Sequence, residues 1–145
     1  MGDRRRKAIA AGVAAGVLSG CAGDPVTAER LQGELGPTFR NMYVLRQHQL
    51  GDDGVTTRAD VSRASCTKGA PGSPQRGPGD DWVCVVHWPA PSGLVDSLTY
   101  DVHVQPGGCY TAQGPAATVG GQTLRAGDGA EEPNPLYEFD GCIPR

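Results

Sequence analysis

Five cysteines limit what this chain of 145 residues can become. Cys21 stands alone near the start, while Cys66, Cys84, Cys109 and Cys142 are spread through the rest. An odd number leaves one thiol over however the others pair. Setting Cys21 aside leaves an even set, suited to disulfides and to an oxidising compartment. Four cysteines admit three pairings. The preferred one joins sequence neighbours, Cys66 with Cys84 and Cys109 with Cys142. Their spacings do not form the paired CxxC of a structural zinc site. No metal or other cofactor is expected.

The residues ahead of Cys21 say why it stands apart. Arg4, Arg5, Arg6 and Lys7 form a compact positive run, and residues 8–18 are an almost unbroken apolar run of small side chains. Charge, short apolar run and small-residue cleavage site are the parts of a secretory signal. The apolar run of about 11 residues falls well short of the roughly 20 needed to span hydrocarbon as a helix. Leu18, Ser19, Gly20 and Cys21 then resemble the bacterial lipobox. That resemblance implies a diacylglyceryl thioether on Cys21, cleavage before it, and acylation (a palmitate-type chain) of the new amine. Two or more acyl chains anchor stably where one is marginal. The expected organisation is a signal peptide at 1–20, a lipid-anchored tether at 21–26, and one extracytoplasmic domain at 27–145.

Processing changes the charge. The full chain has 13 basic and 16 acidic residues, and the chain from Cys21 onward keeps 9 and 15. No basic cluster survives to neutralise phosphates, so nucleic acid is not an expected partner. Acidic sign also disfavours polybasic adhesion to anionic lipid. The membrane contact is then the lipid itself. The 125 residues from Cys21 to the end make one domain at most. High Gly and Pro content thins the core, which two disulfides at about 2–4 kcal/mol each would offset.

Thr27 is placed to cap a helix. Leu31, Leu35, Phe39, Met42 and Tyr43 recur at helical spacing and form its core face. Gly36 and Pro37 predict a kink or break within it, because proline removes an N–H and crowds the preceding turn. Residues 51–54, Gly-Asp-Asp-Gly, read as a solvated turn, lacking the twelve-residue ligand pattern of a calcium loop. Thr56 or Thr57 is expected to cap a short helix, with Asp60 early in it, reaching Ala64. Residues 67–81 carry four glycines and three prolines and read as an exposed irregular loop pinned by Cys66 and Cys84. A loop of that length is either functional or mobile.

Residues 82–88 are the clearest strand, with Trp82, Cys84, Val86 and Trp88 on one side and Val83, Val85 and His87 on the other. Two mostly apolar faces suggest a central strand, ended by Pro89 and Pro91. Leu98, Tyr100, Val102 and Val104 alternate with polar residues in a half-wet strand, and Cys109 to Ala112 begins a third. A small hairpin is expected from 117–119 and 122–124, then a polar loop over 127–135, then a closing strand over 136–142. The sum is an α+β fold: an N-terminal helix or broken helix pair on an antiparallel sheet of four or five strands, stapled by two disulfides.

Chemistry-bearing patterns are scarce. No Gly-x-Ser-x-Gly elbow, P-loop or dinucleotide fingerprint occurs. Paired thiols offer no nucleophile. His87 and His103, with Asp101 two residues before the latter, are the most chemical set, since two histidines and a carboxylate suit a transition metal. Ordinary surface residues explain them as well. Asp80, Asp81, Trp82 and Trp88 form a possible binding surface, aromatic anchors beside an acidic loop. Core packing is the competing role for both tryptophans.

The stretches Gly-Asp-Asp-Trp-Val-Cys at 79–84, Tyr-Asp-Val at 100–102, Gly-Cys-Tyr-Thr-Ala at 108–112 and Asn-Pro-Leu-Tyr-Glu-Phe-Asp-Gly-Cys at 134–142 resemble small, uncharacterised lipoproteins of actinomycetes. The resemblance spans residues 18–142 and brings no catalytic motif. It implies a secreted domain anchored on the outer face of the cytoplasmic membrane. The expected role is a non-enzymatic binding or accessory module for an envelope protein. The alternative is a carrier or sensor of a small or lipidic ligand, held where the helix arches over the sheet. A metal protein or enzyme comes third.

Overall fold

Thr27 does cap a helix: its Oγ1 accepts the Arg30 N–H at 3.3 Å, and α1 runs from there over Ala28–Gln49. The computed structural model describes residues 26–54, 63–87 and 97–145. The signal region, Cys21, the start of the expected 56–64 helix, and Trp88 with the prolines after it lie outside these. Val26, just ahead of the cap, is already seated in the core.

The helix does not break at Pro37, which lies inside it. The reason is where the proline falls. Pro37 is on the exposed side, and the carbonyl its missing N–H would have met belongs to Gly33, also exposed. Water can satisfy that carbonyl. The opposite side carries Leu31, Leu35 and Phe39, all fully buried. Each contributes about 1.5–3 kcal/mol by leaving water, enough for tertiary packing to hold one helix across the defect.

The sheet has five antiparallel strands in the order β1-β2-β3-β4-β7: β1 Arg63–Lys68, β2 Gly79–His87, β3 Ser97–Val104, β4 Cys109–Gln113 and β7 Glu138–Cys142. A separate two-stranded ribbon pairs β5 Thr123–Arg125 with β6 Glu131–Pro133. One face of the main sheet takes α1. Trp82, Cys84 and Val86 of β2, Leu98, Tyr100, Val102 and Val104 of β3, Tyr110 and Ala112 of β4, and Phe139 of β7 all join the helix stripe in one core. Phe39 meets Tyr100 edge-on at 5.9 Å, and Tyr100 meets Phe139 at 5.2 Å. The α+β fold, the long helix α1 and the five-stranded sheet follow the apolar periods.

Several local expectations fail. Ala64 belongs to β1, not to a helix. Thr67 and Lys68 complete that strand, and Gly79, Asp80 and Asp81 start β2, so the irregular segment shrinks to 69–78. Residues 117–119 are not a strand: α2, Ala116–Val119, is a single helical turn started by Pro115. The partner of β5 comes from within the expected polar loop, at Glu131–Pro133. Short segments of mixed composition carry too few apolar residues for either period to assert itself.

Both disulfides are the sequence-neighbour pairs, Cys66–Cys84 and Cys109–Cys142. Each joins residues directly opposite on adjacent strands. The Gly69 N–H bonds Asp81 O and the Ile143 N–H bonds Gly108 O, which fixes the alternation along each ladder. Counting from those bonds, both cysteine pairs fall at positions that do not exchange ladder hydrogen bonds. There opposed Cα atoms approach most closely, and the observed separations are 4.1 and 3.8 Å. Each bridge clips an outermost strand to its neighbour, the strands with only one partner to hold them.

Candidate functional site

The segment 69–78 is tied down residue by residue. The Gln75 side chain accepts the Lys68 N–H at 2.7 Å and donates to Lys68 O and Ser73 O, both at 2.9 Å. The Ala28 N–H reaches Gln75 O at 3.1 Å and the Gly77 N–H reaches Val26 O at 2.8 Å. The segment thus grips the start of the helix. Beneath it the Trp82 indole N–H donates to Gly77 O at 3.1 Å. Trp82 is 1% exposed and belongs to the core, so it offers no face to a partner. Asp80 and Asp81 are exposed beside it. Asp81 Oδ1 accepts from Lys68 Nζ at 2.5 Å, and that bond holds its carboxyl below the usual range. Of the expected surface, the structure brings Asp80 and Asp81 to the outside and takes Trp82 inside.

The face of the sheet away from α1 is open. Val83, His87, Thr99, Asp101, His103, Gln113, Glu138 and Asp140 stand exposed on it. Thr111 Oγ1 donates to Asp140 Oδ1 at 2.6 Å. His87 lies opposite Ser97, and His103 is six residues further along β3, so the two rings sit roughly 20 Å apart at about 3.3 Å per residue. They do not assemble with Asp101 into one site. Among the described residues no group of three or more His, Cys, Asp or Glu is placed to hold a metal.

The motif at 134–142 is accounted for by packing. Asn134 is buried, and its Nδ2 donates to Val119 O at 2.8 Å and Gly121 O at 3.0 Å while its Oδ1 accepts the Leu136 N–H. One amide thereby ties α2 to the turn that leads into β7. Leu136 is in the core, and its carbonyl accepts the buried Tyr100 hydroxyl at 3.0 Å. Tyr137 Oη accepts from Gln113. Gly141 lies under the Tyr110 ring, where a Cβ would sit 2.4 Å from Tyr110 Oη. The Tyr110 hydroxyl donates to Thr38 Oγ1 at 3.2 Å, and burial raises its pKa.

The two margins of the sheet differ, which no sequence pattern announced. On β1 the outward-facing backbone groups are those of Ala64, Cys66 and Lys68. The Gln32 side chain takes the Cys66 N–H at 2.9 Å, and Gln75 takes both groups of Lys68. On β7 the outward groups are those of Glu138, Asp140 and Cys142, and no side chain or backbone of the described residues meets them. The signal that would have pointed there is the alternation of Glu138 and Asp140 about Phe139 in the last strand, read as an acidic edge rather than a polar face.

Compared with known proteins, the chain matches no protein-family model, no curated protein and no solved structure.

Proposed function

We propose that this chain is a membrane-anchored extracytoplasmic lipoprotein, lipidated at Cys21, whose domain serves as a non-enzymatic binding or accessory module for an envelope protein. The observation that carries the reading is the cysteine inventory. Two cross-strand disulfides consume Cys66, Cys84, Cys109 and Cys142. Cys21 is left over at the end of a signal-like run, the position a lipobox requires. Structural disulfides persist in exported proteins and are rare in a reducing cytosol. The dispersal of His87, His103 and Asp101 along an open face favours binding over catalysis. The helix stripe that a carrier would hold open over a ligand is filled by Leu31, Leu35 and Phe39 against Tyr100 and its neighbours, which favours an accessory module over a carrier.

Val26, the first described residue, is seated in the core and lies five positions after Cys21. Fully extended, that tether reaches at most about 18 Å. An anchored domain would therefore stand close to the headgroups with its Val26 end inward.

The test is fractionation with mass spectrometry of the N-terminal peptide, followed by crosslinking capture from native envelope. Expected are a diacylglyceryl mass on Cys21, loss of membrane association in Cys21→Ala, and one dominant protein partner lost with the anchor. An unmodified Cys21 in membrane-free protein overturns the anchored reading. Capture of a lipid or glycan in place of a protein selects the carrier.

A further inference from the structure

We propose that the outer margin of β7 is a docking edge for an extended segment of a partner protein that carries Lys or Arg at alternate positions. This rests on the reading of the domain as a binding module and not on its lipidation. The ladder between β4 and β7 alternates, and the Gly114 N–H to Tyr137 O and Ile143 N–H to Gly108 O bonds fix its phase. Phe139 and Gly141 turn their backbone groups inward to β4. Glu138, Asp140 and Cys142 turn theirs outward, and all three residues are exposed. A strand edge with open N–H and C=O groups is a template for one more strand.

The two margins of the sheet are not equally open. The opposite margin presents the same kind of edge at β1, and there glutamines from α1 and from the 69–78 segment occupy the Cys66 N–H and both groups of Lys68. Among the described residues nothing equivalent is supplied at β7. The strand is also held in register by Cys109–Cys142 and by the Tyr110 ring packed over Gly141, so an incoming segment meets a preorganised edge.

Charge selects the occupant. Glu138 and Asp140 project from the open face at successive outward-bonding positions, with Asp101 further into the sheet on the same side. A second copy of this chain docking antiparallel about Asp140 would set aspartate against aspartate, and a parallel copy would align both acids. Like charges directly opposite destabilise a strand pair, while opposite charges support it. A basic, extended segment satisfies both the ladder and the carboxylates. In an antiparallel pairing its basic residues lie opposite Glu138 and Asp140 and donate their own N–H groups to β7.

The experiment uses the full chain in detergent, ¹⁵N-labelled, titrated at low salt with a capped peptide of about nine alternating Lys and Thr residues, a typical strand length with room to slide. Amide shifts centred on Glu138, Asp140 and Cys142 are expected. N-methylation of the Lys amides should weaken binding by about tenfold or more, since it removes the main-chain donors that face β7. The Glu138→Lys, Asp140→Lys double variant should lose this peptide and accept a Glu–Thr one. Equal binding of the methylated peptide, shifts centred elsewhere, absence of binding, or edge-to-edge dimerisation of the chain each overturns the proposal. The two readings fail separately. A captured envelope partner that the double variant still holds sinks the edge and leaves the module. A peptide that lands on β7 while no envelope protein is captured does the reverse.

Discussion

Gly141 shows how little room the closing strand leaves. Tyr110 lies across it from β4, and any side chain there must displace that ring, whose hydroxyl also reaches Thr38 on the helix. Gly141→Ala should cost about 1–3 kcal/mol, the usual penalty of overpacking, measured by denaturant unfolding. Replacing Tyr110 by Leu in the same chain should recover part of the loss, as coupled neighbours do. Equal losses in the single and double variants would rule out the contact as the cause. At this scale the sequence was legible where chemistry is directional. Thr27 as a cap and the four cysteines could be placed from residue type and spacing. Gln75, Gln32 and Asn134 could not. A glutamine that closes a strand edge looks, in sequence, like any solvated glutamine, because its partners lie in other elements.

Among the elements, α1 and the strands from Trp82 to Ala112 were legible because each carries a sustained period, helical in one case and alternating in the others. The strand β1 was hidden, since Arg-Ala-Ser-Cys-Thr-Lys has one buried residue among six. The sheet supplies what its own composition lacks. Pro37 is a local defect inside α1 and not a boundary. The defect still has a cost. Pro37→Ala restores an N–H toward Gly33 O on the exposed side and should stabilise the domain by about 1–3 kcal/mol, within the penalty for proline inside a helix. Thermal unfolding reads this directly, and a lower midpoint would mean that the proline shapes the helix in some way the buried stripe requires.

For the molecule as a whole, the core carries three ionisable phenols, Tyr43, Tyr100 and Tyr110. Burial raises the pKa of each above the ordinary 10.0. The folded state therefore favours their neutral forms. Their contribution is fully present below about pH 10 and is lost as pH climbs toward the raised folded values, where the unfolded chain alone has released its protons. Phenolate absorbance from these tyrosines should rise together with loss of near-ultraviolet dichroism, in one alkaline transition. Tyr100→Phe should flatten that pH dependence even where it lowers stability at neutral pH. An unchanged alkaline slope in the variant would dismiss Tyr100 as a source.

The glutamines along β1 bear on how the domain can combine. A sheet open at both sides can receive a strand and offer a template for the next, and so extend without end. Here Gln32 and Gln75 hold the Cys66 N–H and both groups of Lys68, which makes the far margin a poorer template than β7. A strand added at β7 would then favour finishing an assembly over relaying it, and such complexes should saturate at equal numbers of each component.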